Sequence, residues 1–379
     1  MSYLEHSLKT VPTGWRKLLA LNWSIIVLIS AIACVGFLML YSVSGGRIET
    51  WAEPQMKRFA VGLVAMIAIG MVPIWLWRNM SALAYLVALL LLVAVDFVGV
   101  RGMGAERWLE LGPIRIQPSE MMKIAVVMFL AAYYDWLDVD KVSKPIWVLL
   151  PIVIILIPVG LVLRQPDLGT AILLMLGGGV VMFAAGVSLW YFGTVIAMGV
   201  GVIVLVFKSR GTDWQLIHDY QFARIDTFID PMSDPLKDGY NVIQAQIALG
   251  SGGWAGRGFM QGTQSRGNFV PEKHTDFIFT ILAEEFGFVG AVSLLVLYTL
   301  VLGFCLHSAL SNKDRYASLL TIGIGATLFL FFSVNMSMVM GLMPVVGVPL
   351  PLVSYGGTAM IILMMAFGLV QSAHVHRPR

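Results

Sequence analysis

The stretch VPEKHTDFIFTILAEEFG, residues 270–287, holds the densest set of reactive side chains in the sequence. Glu272, Lys273, His274 and Asp276 stand just before an apolar run, and Glu284 and Glu285 continue into it. A carboxylate at the position of Asp276 can take the proton of an attacking hydroxyl, a general-base role worth roughly 10²–10⁴-fold in rate. It can equally cap the helix that follows, because the free N–H groups and dipole of a first turn favour a carboxylate. Both readings stand on the residues alone. His274 is a candidate base or supporting group, against a structural histidine at a membrane surface. Asp and His also ligate metals, but no third ligand follows at a recognisable spacing, so the metal is left unassigned.

Four further groups could serve the same chemistry. IQPSEMMKIA places Glu120 and Lys123 three residues apart on one helical face, either as an internal ion pair or as a substrate contact. Just before it, RGMGAERWLELGPIR holds Arg107, Trp108 and Arg115. Trp108 suits a membrane-interface anchor or a platform on which a sugar stacks. In RQPDLGTA, Arg164 and Asp167 flank Pro166, where a tight interfacial turn competes with a binding role. Arg210 begins the long connection, and Arg257 lies in a glycine-rich run, residues 250–262, whose backbone N–H groups could cradle phosphate or form a linker.

The elements that position these groups must lie in a bilayer. The chain is 58% hydrophobic and 12% charged, with mean hydropathy +0.83, whereas a soluble domain carries roughly 25% charged residues. Apolar runs long enough to cross a roughly 30 Å hydrocarbon core recur along it. They predict an all-α, polytopic transmembrane bundle of ten helices: 19–42, 59–77, 80–98, 118–136, 146–163, 168–186, 189–207, 276–307, 317–340 and 353–373. Residues 1–379 form one membrane domain in this reading, with 208–275 as a large extracytoplasmic connection between the seventh and eighth spans. Its apolar and aromatic segments suit short helices at the membrane surface. Residues 99–117 form a second, shorter connection on the same side. The proline-rich segment PVVGVPLPLVSYGG forces an irregular cavity wall between the last two spans. Cys34 and Cys305 read as buried free thiols, and the net charge of +3 gives no nucleic-acid-binding surface.

Lysines and arginines set the orientation. With the N-terminus cytoplasmic, that side collects Lys9, Arg16, Lys17, Arg78, Lys141, Lys144, Lys313, Arg315, Arg377 and Arg379. The opposite short loops hold Arg47, Lys57, Arg58, Arg101, Arg107, Arg115 and Arg164. The bias favours both termini inside.

RWLELGPIRIQPSEMMK, QPDLGTA, the stretch from DPLKDGYNVIQAQIALGSGG to HTDFIFTILAEE, and VGVPLPLVSYGG together resemble the shape, elongation, division and sporulation (SEDS) family of bacterial membrane proteins. GTQSRGNFVPEKHTDFIF and PVVGVPLPLVSYGG look more like its elongation branch than its division branch. The resemblance implies a ten-helix peptidoglycan glycosyltransferase of the cytoplasmic membrane that polymerises lipid II, a disaccharide peptide on a polyprenyl pyrophosphate. It implies a class B penicillin-binding transpeptidase as partner, among other proteins of the elongation complex, within membrane lipid. The family's essential aspartate falls on Asp276, its tryptophan on Trp108, and its acidic and basic pair on Glu120 and Lys123. Lys123, Arg107, Arg210 and Arg257 are the candidate cations for the leaving pyrophosphate, with or without a divalent ion, magnesium or manganese. A lipid II flippase or transporter and a non-catalytic scaffold are the rival readings.

Overall fold

The computed structural model describes residues 14–377, apart from 103–104, 112–113, 213, 217–218, 234–237, 268 and 270–271. Lys9 and Arg379, two of the residues that orient the chain, lie outside the described residues. After a single turn, α1 (Arg16–Leu19), come α2 (Trp23–Val43), α3 (Ala52–Met71), α4 (Ile74–Val98), α5 (Pro118–Trp136), α6 (Pro145–Arg164), α7 (Leu168–Ala184) and α8 (Leu189–Ser209). The long connection holds α9 (Asp219–Ile229), α10 (Asp238–Ser251) and α11 (Thr263–Arg266), the short helices expected there. Then follow α12 (Ile278–Leu310), α13 (Arg315–Val339) and α14 (Gly357–Val375).

The ten long helices match the ten expected spans. Seven of them, α2, α4, α6, α8, α12, α13 and α14, meet the length and hydropathy of a membrane span outright. The other three fall short because α3 and α5 carry charges and α7 has only 17 residues. Helix α3 differs at both ends: it starts at Ala52 rather than 59, which makes Lys57 and Arg58 helical residues rather than loop cations, and the expected break near residue 79 lies at Val72 and Pro73, so that α4 starts at Ile74. Proline lacks the N–H that would continue α3. Arg78 is therefore a helical residue of α4 rather than a loop cation.

Residues 99–117 form more than a loop. Strands β1 (Val100–Gly102), β2 (Ala105–Leu111) and β3 (Ile114–Ile116) make a small antiparallel sheet. It pairs Trp108 with Val100 and Glu110 with Arg115.

Close crossings rest on glycine. A β-carbon at Gly62 would come within 2.9 Å of Met364, and one at Gly368 within 2.8 Å of Ile69, so α3 and α14 pack nearly backbone to backbone. Helix α8 stands apart, with Ser209 as its sole buried residue.

Candidate active site

The site is built around the irregular segment 340–356, and uncharged side chains hold it in place. Asn335 of α13 donates through Nδ2 to the carbonyls of Val348, at 2.7 Å, and Asp276, at 2.9 Å. Ser354 Oγ donates to the Thr275 carbonyl at 2.5 Å and accepts from the Leu350 amide at 2.8 Å. The Tyr355 amide donates to the His274 carbonyl at 2.8 Å. Gln55 of α3 closes the ring by donating to the Ser354 carbonyl at 3.0 Å. Tyr298 donates to the Pro351 carbonyl from within α12. Buried amides and carbonyls without a helix to satisfy them need such partners.

Asp276 lies where this segment meets the start of α12. Phe277, not Asp276, is the N-cap residue, and no side chain caps this helix. Among the described residues the Asp276 carboxylate has no hydrogen-bond or ion-pair partner. It faces Gly347, where a β-carbon would stand 3.7 Å from Oδ2. Burial first, and the Glu272 carboxylate second, push its carboxyl up to about 6. Burial also depresses the neighbouring His274, whose ring stacks on Trp51 at 4.2 Å. Of the two roles open to Asp276 on its sequence, the geometry removes capping.

On α5, Glu120 and Lys123 pair at 2.7 Å, with side chains 12% and 3% exposed, and the Lys123 ammonium lies 3.9 Å from the centroid of Phe331. The pair lines a cavity of about 40 Å³ together with Gln55, Pro351, Ser354 and Met360. Trp108 is half-buried, its ring 3.8 Å from a β-carbon built on Gly357 at the head of α14. Asp167 caps α7 through Thr170 and sits 3.6 Å from Arg107, which also donates to the Gln165 and Pro166 carbonyls. Gly169, two residues on, packs against Val346. The segment 340–356 thus gathers Asp276, His274, Glu120, Lys123 and Trp108 around itself, with Asp167 and Arg107 at its edge.

Two candidate cations lie elsewhere. Arg210 is held by Asp226 in a bidentate pair at 2.8 and 2.6 Å on the surface of the long connection. Arg257 donates to the Ser251 carbonyl at 3.2 Å in the glycine-rich run. In the structure that run braces α12. Helix α12 is kinked at Gly287, φ 66° and ψ −162°, and the run supplies the missing donors: the amides of Arg257 and Gly258 bond the Glu284 and Glu285 carbonyls at 3.0 Å. In return, Phe288 and Val289 donate to Gly253 and Trp254. A β-carbon at Gly256 would come within 2.1 Å of the Glu285 carbonyl oxygen, so only glycine permits this approach. Glu284 accepts from Thr263 Oγ1 and the Gln264 and Ser265 amides, which ties α11 to the same kink.

Sequence reasoning did not single out Gln55, Asn335 or Ser354. Their signal is polarity without charge inside apolar runs, since a buried amide demands partners.

Residues 22–379 match the cell cycle protein family of FtsW, RodA and SpoVE. The chain is 41% identical over 365 residues to peptidoglycan glycosyltransferase MrdB of Escherichia coli K12, covering 96% of both chains. It is 32% identical to stage V sporulation protein E of Bacillus subtilis, covering 91% of this chain and 94% of that one. A solved structure of a peptidoglycan synthase complex that coordinates polymerization and crosslinking superposes with TM-score 0.81 at 31% identity, over 95% of this chain and 99% of its own. The rod shape determining protein RodA of Thermus thermophilus superposes with TM-score 0.71 at 28% identity, over 95% and 99%. Sequence, order of elements and fold agree: the chain belongs to the FtsW, RodA and SpoVE family of multi-pass membrane proteins.

Proposed function

We infer that this chain is a peptidoglycan glycosyltransferase in which Asp276 acts as general base on lipid II at the outer face of the cytoplasmic membrane. The observation that carries the role is a carboxylate that is half-buried, raised to about 6 and without a partner among the described residues, at the edge of a shielded irregular segment. A base that is ionised at neutral pH, yet basic enough to accept a proton, suits transfer from a sugar hydroxyl. MrdB, a relative by sequence, is itself named a peptidoglycan glycosyltransferase.

The acceptor hydroxyl oxygen attacks the anomeric carbon of the donor while its proton passes to the Asp276 carboxylate. The bond from that carbon to the pyrophosphate oxygen breaks, and polyprenyl pyrophosphate leaves. One direct displacement converts an α-linked donor into a β-linked product without a sugar–enzyme intermediate. Trp108 offers a face for a sugar ring, and the Glu120–Lys123 pair fixes the cavity wall behind it. A magnesium or manganese ion, if the substrate phosphate oxygens carried one, would neutralise charge on the leaving group. Among the described residues no three His, Cys, Asp or Glu groups gather into a ready-made cage for such an ion.

The ten-helix count and the basic bias support cytoplasmic termini, which puts the site end outside. Crosslinking is a different reaction from glycosyl transfer, and the superposed complex performs both. That supports a class B penicillin-binding transpeptidase as partner in the elongation complex. Purified chain in detergent, given lipid II, is expected to form glycan chains. No polymer there, with lipid II moving across sealed vesicles instead, would replace the enzyme with a transporter.

A further inference from the structure

Two lipid-linked sugars must be held at once for the reaction just described, and each carries a pyrophosphate. Three cations of the site already have partners: Lys123 has Glu120, Arg107 has Asp167, and Lys273 donates to the Ser265 carbonyl at 2.7 Å. Arg58 has no such partner among the described residues. It lies in the second turn of α3, three residues beyond Gln55, whose side chain holds Ser354. Its guanidinium stands 4.8 Å over the ring of Tyr355, and its Nη1 is buried with no hydrogen-bond partner. Among the described residues no carboxylate pairs with it. Its neighbour Lys57 is neutralised by Glu53 at 2.6 Å.

The contact with Tyr355 offsets part of the cost, but a buried N–H without an acceptor still pays for desolvation, so stability alone is a poor reason for the arrangement. The surroundings supply the reason. Tyr355 meets Trp51 edge-on at 4.8 Å, and Trp51 stacks on His274 at 4.2 Å, two residues from Asp276. An aromatic cluster thus runs from the unmatched cation to the candidate base. Stacking over Tyr355 holds the guanidinium plane, the side chain as a whole is only half-buried, and a planar fork matches two phosphate oxygens.

We propose that Arg58, held by Tyr355, is the phosphate-gripping residue of a second substrate subsite, in which the Trp51–His274–Tyr355 cluster takes the adjoining sugar. This rests on the glycosyltransferase reading, and the test separates the two. Binding is measured without turnover, in full-length chain carrying Asp276→Asn, in phosphatidylcholine nanodiscs. Labelled lipid II is titrated, then competed with undecaprenyl pyrophosphate, undecaprenol or phosphatidylglycerol.

Arg58→Gln should weaken lipid II binding about tenfold and weaken competition by undecaprenyl pyrophosphate by a similar factor, while Arg58→Lys should restore part of each. Undecaprenol should compete poorly whichever residue stands at 58. Trp51→Leu should weaken lipid II and spare undecaprenyl pyrophosphate, separating the sugar platform from the phosphate grip. Unchanged binding in Arg58→Gln would overturn the proposal, as would equal competition by phosphatidylglycerol, which would make Arg58 a general headgroup anchor. Loss of binding in a Gln variant whose thermal midpoint also falls, with Lys restoring the midpoint alone, would make Arg58 structural and sink the subsite. Failure of unsubstituted chain to polymerise lipid II would strike the enzyme reading and leave the binding result standing.

Discussion

One carboxylate at the site end is treated in the opposite way to the two aspartates at the other end of the bundle. At the end away from the site, Asp135 and Asp314 share Arg78 at 3.2 and 2.5 Å. Asp135 also accepts from the Tyr316 amide at 3.1 Å, and Asp314 caps α13 through the Ala317 amide at 3.0 Å. The guanidinium lies over the Tyr316 ring, whose hydroxyl meets Ser81. This cluster ties α4, α5 and α13 together. At the site end, Asp276 has a raised carboxyl and no partner among the described residues. A matched acid holds helices, whereas an unmatched one costs stability and is useful only when something arrives to use it.

The largest effect is expected where a matched pair is broken in the most buried setting. Lys123→Met leaves the Glu120 charge unpaired, and such losses cost about 3–5 kcal/mol. Glu120→Gln should also destabilise, and the double variant should cost less than the sum. Additive shifts in thermal midpoint would mean that the two side chains are not coupled.

Asp276→Asn should act in the opposite direction on the two readouts. Polymerisation should drop roughly a hundredfold, about 2.7 kcal/mol of barrier, while the fold gains stability near neutral pH. Near-normal turnover, or a destabilised chain, would erase the contrast between the two ends.

Arg78→Met should weaken the fold by about 1–3 kcal/mol, less than a fully buried pair because its side chain is 33% exposed. Activity per folded molecule should stay close to that of the unsubstituted chain. Proteolysis rates and glycan synthesis measured on the same preparation would check both.

The last effect is graded with pH and emerges only across a titration. The base must be ionised, so activity should fall about tenfold per pH unit below about 6 and level off above it. Stability runs the other way. An acid raised from 3.8 to about 6 favours the protonated fold, so stability contributed by this group is lost as pH climbs through that window. Its full size is about 3 kcal/mol. Asp276→Asn should flatten both curves, and a pH profile that this substitution leaves unchanged would assign the titration to another group.

Much of this architecture is legible in the residues. Long apolar runs have one solution in lipid, so the spans follow, and a proline at N1 marks the starts of α5 and α6. The α3–α4 boundary is less visible because MVPIWLW is apolar throughout and only Pro73 marks it. The small sheet escapes notice because β1 and β3 have three residues each, too few to show alternation. At the site, charged residues announce themselves by their cost, whereas Gln55 and Asn335 are single amides, each with a partner far along the chain, Ser354 for one and Asp276 for the other. The glycine-rich run shows the limit most clearly. Its composition says that backbone N–H groups are offered, and only the kink at Gly287 says to what.

That kink makes two remote stretches of chain into one spliced helix. The carbonyls of Glu284 and Glu285 find their donors in residues made some thirty positions earlier, so α12 cannot be completed from its own sequence. During synthesis the glycine-rich run is made first, and the helix closes onto it as a bolt closes on its keeper. A tag or a cut placed in residues 250–262, which look like expendable loop, would therefore damage a membrane helix, and hydrogen exchange should protect the amides of Arg257 and Gly258 as strongly as those of α12 itself.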